Sequence, residues 1–128
     1  MNDIVQLFHS LADSNRLRIL NLLLNSGELC VCTIEDVMQV PQARVSRHLG
    51  VMRQAGLVAA RREAQWVYYS AAKDTLLKST LANVLKETME EDSQLRRDLA
   101  RLKKLEPNAC ELPRRTKASA ARQEAAAR

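Results

Sequence analysis

No hydrophobic run in this 128-residue chain approaches the ~18–20 residues a membrane-crossing helix needs. Nor does a basic start lead into an apolar signal core, so the expectation is a soluble, cytoplasmic protein. Cysteine is scarce, with only Cys30, Cys32 and Cys110. An odd count with no secretory signal speaks against a disulfide framework. It leaves reduced thiols to take a metal or metalloid. A phosphate-binding loop, a nucleophile elbow and paired acids at supporting spacing are all missing, so an enzyme is not expected. No internal repeat is visible. Acid is absent from Pro41 to Arg62, although that stretch holds Arg44, Arg47, Arg53, Arg61 and Arg62. A local basic patch of this kind suits phosphate contact better than a uniform excess of charge does.

What is present folds. Nearly half of the chain is hydrophobic, and the length fits one domain. Residues 1–105 are expected to form a DNA-binding and dimerisation domain. Residues 106–128 are expected to form a C-terminal loop and a disordered basic tail, because no apolar period continues there. Asn2 to Leu11 repeats apolar residues at helical spacing. Asp13 or Ser14 can cap a second helix to about Leu24, apolar on most sides and therefore central. Asn25-Ser26-Gly27 ends it. Thr33 can cap a short helix through Met38. Pro41 suits the start of the next helix, whose inward stripe is Val45, Leu49 and Met52. Gly56 closes that helix.

Leu57 to Arg62 and Trp66 to Ser70 then read as two strands of a hairpin about Glu63-Ala64-Gln65. The pattern predicts a mainly α fold with a small β-hairpin, a dimeric winged helix-turn-helix. From Asp74, apolar periodicity predicts one helix to Leu105. It would span ~48 Å at 1.5 Å per residue, longer than the domain body, so it should project or pack on a partner subunit.

Glu28-Leu29-Cys30-Val31-Cys32, Ser46-Arg47-His48-Leu49, Arg53-Gln54-Ala55-Gly56-Leu57-Val58 and Trp66-Val67-Tyr68-Tyr69 together resemble the ArsR/SmtB family of metal- and metalloid-responsive repressors. The resemblance covers roughly residues 3–95. It implies a winged-helix homodimer that represses its operon and leaves double-stranded operator DNA when its ligand binds.

A recognition helix presents its first two turns to the major groove. The candidates are therefore Gln42, Arg44, Ser46 and Arg47, with Arg61 and Arg62 on the hairpin reaching backbone or minor groove. Arginine pairs with guanine, glutamine with adenine, and serine suits phosphate. His48 lies close to the inward stripe and is read as bonded within the fold.

Cysteines at i and i+2 sit ~200° apart on a regular helix and cannot converge there. In an extended segment they share one side, so Cys30 and Cys32 are expected to be non-helical. Thiolates favour soft ions. The expected inducer is As(III) or Sb(III), bound by Cys30, Cys32 and Cys110, with no organic cofactor. Arsenic-sensing members of the family commonly carry a third cysteine where this chain has Glu35, a hard carboxylate that does not replace a thiolate. Cys110 is the remaining thiol. The alternatives are a repressor of the same fold sensing cadmium, lead or zinc, and one that senses thiol oxidation.

Overall fold

A computed structural model describes residues 1–105. In chain order the elements are α1 (Asn2–Leu11), α2 (Ser14–Ser26), β1 (Glu28–Cys30), α3 (Val31–Met38), α4 (Gln42–Gln54), β2 (Val58–Glu63), β3 (Trp66–Ala71), α5 (Leu76–Met89) and α6 (Ser93–Lys104). Helix α2 is the centre. Asp13 caps it by accepting the backbone N–H of Arg16 at 3.1 Å, and Ile19, Leu20, Leu22 and Leu23 are buried against the surrounding elements. Val45, Leu49 and Met52 of α4 are fully buried in the same core, so the recognition helix is anchored by its expected stripe. Its far end is fixed by geometry that needs a glycine. Gly56 has φ +77°, and the N–H groups of Gly56 and Leu57 return to the carbonyls of Arg53 and Met52.

The hairpin forms, with Ala64-Gln65 as its two-residue turn and Ala64 at φ 56°. A third strand, β1, joins its open side, giving the order β1-β3-β2, antiparallel throughout. The sequence pattern predicts only two strands, because the three residues of β1 show too little alternation to stand out. The extra strand matters. It fixes Cys30 as the last extended residue, and α3 starts at once. Thr33, expected as the cap, is instead buried inside that helix.

The single long helix is also corrected. Thr75 caps α5 by accepting from the Lys78 N–H, and α5 stops at Met89. Asp92 then caps α6 by accepting from the Leu95 N–H at 3.0 Å. Helix α6 turns back onto the body, where Leu95 and Asp98 are buried and Leu99 and Leu102 pack at the core's edge. The reason is electrostatic as well as apolar. Arg18 of α2 grips Asp98 through Nε at 2.8 Å and Nη2 at 3.0 Å, and also donates to the Met38 carbonyl. Gln94 and Asn21 add bonds to Asp98 and to the Leu95 carbonyl. Among the described residues no helix is long and apolar enough to cross a membrane.

Candidate DNA-binding surface and thiol pair

Helix α4 exposes Gln42, Arg44, Ser46 and Arg47 along its first half, while Val45 and Leu49 between them point inward. The four candidates therefore share the outer side of the helix start, where the helix dipole also favours an anion. Glu35, on the helix that precedes this one, has its carboxyl pKa pushed up by burial and further by Asp36, with the backbone N–H of Gln42 opposing that shift.

His48 lies half-buried on the same helix, its Nδ1 3.4 Å from Arg16 Nη1 and 3.8 Å from Asp13 Oδ2. Burial holds its pKa below the ordinary histidine value. Asp13 opposes that shift, while Arg16, Arg47 and Arg44 add to it. A neutral ring can accept from Arg16, whose Nε also donates to the Ser10 carbonyl. The histidine thus joins α4 to the start of α2 and the end of α1, in line with its reading as a structural residue.

On the wing, the two arginines differ. Arg62 is exposed. Arg61 is held by carboxylates, with Nε and Nη2 on Glu28 at 2.7 and 2.8 Å and Nη1 on Glu63 at 2.7 Å. Its guanidinium also lies 4.7 Å from the centre of the Tyr68 ring. Arg61, expected to reach DNA backbone or minor groove, is bound across the sheet in this structure. No local pattern could have signalled this, since Glu28 and Arg61 are far apart in the chain.

The thiols meet at the junction of strand and helix. Cys30 ends β1 and precedes α3 in extended geometry, while Cys32 is the second residue of the helix. Their Sγ atoms are 3.0 Å apart, and the Thr33 hydroxyl is 3.3 Å from the Cys30 sulfur. The expectation of a wholly extended pair is corrected: only Cys30 is extended. The sulfurs converge because one lies just outside the helix, so the 200° argument for two helical positions does not apply to them. Two sulfurs this close can share one soft ion or, after losing two electrons and two protons, bond to each other. Among the described residues no group of three His, Cys, Asp or Glu gathers as a metal site. Cys110 lies outside the described residues.

A short helix supporting an exposed basic helix, followed by a hairpin wing, defines a winged helix-turn-helix DNA-binding domain. The family of bacterial regulatory proteins called arsR matches residues 13–60. The arsenic resistance transcriptional regulator ArsR2 of Pseudomonas putida is 38% identical over 100 residues, covering 77% of this chain and 85% of that protein. The chain belongs to the arsR family. It is a DNA-binding regulator and not an enzyme.

ArsR1 of the same organism, also named an arsenic resistance transcriptional regulator, is 45% identical over 62 residues, and the match spans about half of each chain (48% of this one and 48% of that one). A cadmium resistance regulatory protein, a CadC homologue of Staphylococcus aureus, is 35% identical over 68 residues, 53% of this chain and 56% of that one. Among solved structures, the homodimeric winged helix-turn-helix domain Mb0332 of Mycobacterium bovis superposes with a TM-score of 0.61 at 28% identity, over 70% of this chain and 81% of that one.

The surface makes a first prediction. Arg47→Ala should weaken binding to a selected operator duplex by roughly ten- to a hundredfold, since an arginine–guanine pair is worth ~1–3 kcal/mol. The circular dichroism spectrum should not change, because Arg47 is exposed. Unaltered affinity in a gel shift would remove Arg47 from the interface.

Proposed function

We propose that this protein is a repressor that binds operator DNA as a homodimer and is released when trivalent arsenic or antimony binds the thiolates of Cys30, Cys32 and Cys110. The DNA-contacting residues in this reading are Gln42, Arg44, Ser46, Arg47 and Arg62. The observation that carries it is the sulfur pair, 3.0 Å apart at the start of the helix that supports the recognition helix. A ligand that rearranges Cys30 and Cys32 displaces the start of α3, and α3 packs directly against α4. That gives a short mechanical route from thiol to DNA surface. In this reading the protein works in the cytoplasm, where thiols are kept reduced.

Support for the third sulfur comes from the direction of α6. Arg18 joins Asp98 to the Met38 carbonyl, and Arg101 Nη2 donates to the Asp36 carbonyl at 3.2 Å. As α6 advances from Asp98 to Arg101, its neighbour on α3 recedes from Met38 to Asp36, so the two helices run antiparallel. Leu105 lies four residues past Arg101, and Cys32 four before Asp36, each ~6 Å along its axis. Helix α6 therefore runs toward the end of α3 that carries Cys32. In this reading Cys110 supplies the third sulfur, from the same chain or from its partner.

Two apolar faces favour a homodimer. Helix α1 leaves Ile4, Val5 and Phe8 about half exposed, and α5 leaves Leu76, Leu77 and Val84 in solvent. The similarity to a homodimeric domain points the same way.

The test is titration of the reduced protein–operator complex with arsenite, antimonite, cadmium and zinc. Release by arsenite or antimonite at the lowest concentrations is expected. Release by cadmium or zinc alone would move the protein to the divalent-metal sensors, and release by peroxide without any metalloid would make it a redox sensor.

A further inference from the structure

The sheet places the sensor strand and the wing in one unit. Cys30 pairs with Tyr68, and Tyr68 pairs with Arg61, so the three residues form one row across β1, β3 and β2. Two strand spacings separate the ends of that row, ~9–10 Å. Arg61 reaches back over the Tyr68 ring and holds the Glu28 carboxylate, two residues before Cys30 on the same strand. Three of its N–H groups are committed to carboxylates. Two carboxylates against one guanidinium leave the cluster negative, which is the wrong sign for a phosphate partner. Hydrogen bonds to Glu28 and Glu63 hold the arginine's pKa well above its ordinary value, and the bond from Arg61 holds that of Glu28 below its own.

We propose that Arg61 is a positioning residue that couples the thiol pair to the wing, clamping β1 to β2 across β3, and that it does not contact DNA. When the thiols rearrange, β1 carries Glu28 with it, and the clamp passes that shift to β2 and the hairpin. The clamp's strength as an exposed ion pair is modest. Its use is geometric, since bidentate contact fixes both distance and angle. The release half of this inference rests on the metalloid reading above; the clamp itself does not.

The test uses Arg61→Ala, Glu28→Ala and the double variant in the full-length protein, with a selected operator duplex and arsenite as the probe. In Arg61→Ala the slope of log affinity against log salt should match that of the wild type. The arsenite-induced loss of affinity should shrink at least fivefold. Glu28→Ala should show the same shrinkage, and the double variant should lose no more than either single one. Without arsenite, hydrogen exchange should rise in β1 and β2 together.

A slope lower by ~0.9 for each lost phosphate contact would overturn the proposal. So would Glu28→Ala binding DNA more tightly, as a freed arginine requires, or faster exchange confined to β2. If arsenite does not release the wild-type protein, the metalloid reading fails. The salt slope and the exchange pattern still decide the clamp.

Discussion

Cys30→Ser and Cys32→Ser proteins should each stay on operator DNA at arsenite concentrations that release the wild type. A serine hydroxyl is a neutral, hard donor and does not replace a thiolate on a soft ion. Couplings between ligand and DNA sites are typically ~1–3 kcal/mol, five- to 150-fold in affinity, and either substitution should collapse that ratio to about one. Neither should unfold the domain. Serine is smaller than cysteine by less than a methylene, and a serine at position 30 would find the Thr33 hydroxyl as a partner. Fluorescence anisotropy of a labelled operator, with and without arsenite, reads the ratio directly. Cys110→Ser is the informative companion. With three sulfurs at the site it should need about tenfold or more arsenite for the same release. A Cys110→Ser protein that responds like the wild type would leave a two-sulfur site.

Asp98→Ala should cost ~3–5 kcal/mol of folding stability, the range seen when one partner of a buried ion pair is removed. Asp98 is 1% exposed and Arg18 18% exposed, so the guanidinium left behind has little access to water. The bond from Gln94 to Asp98 is lost as well. Typical domains have ~5–15 kcal/mol in total, so a large shift of the urea midpoint is expected at fixed protein concentration. Replacing both partners, as in Arg18→Met with Asp98→Leu, should recover at least half of the loss. Isosteric apolar pairs avoid the desolvation penalty. A small change in Asp98→Ala would mean that α6 detaches at little cost.

Local pattern carried much of the fold. The α2 and α4 stripes, the Asp13 cap, the Gly56 terminator and the hairpin all depend on residues a few positions apart, and all appear where periodicity and capping chemistry put them. The exposed row Gln42, Arg44, Ser46 and Arg47 follows from the same stripe, because a helix with one face buried must present the other. From Asp74 the apolar period predicts one helix to Leu105, and the structure has two. The choice between them belongs to Arg18, 80 residues before Asp98 in sequence, whose charge rewards folding α6 back.

The thiol pair shows the same division. Sequence alone determined that two sulfurs two residues apart lie at the start of the segment that leads into a DNA reader, because chemistry and spacing are written in the chain. Tertiary structure decided how they meet and what they can move. Pairing of β1 with β3 ends the strand at Cys30 and starts α3 there, α3 packs on α4, and Arg61 is joined to Glu28 across the sheet. Each is a contact between residues distant in sequence or separated by a turn. Their energies depend on where the backbone brings opposite charges and open hydrogen-bonding groups together, which no local spacing encodes.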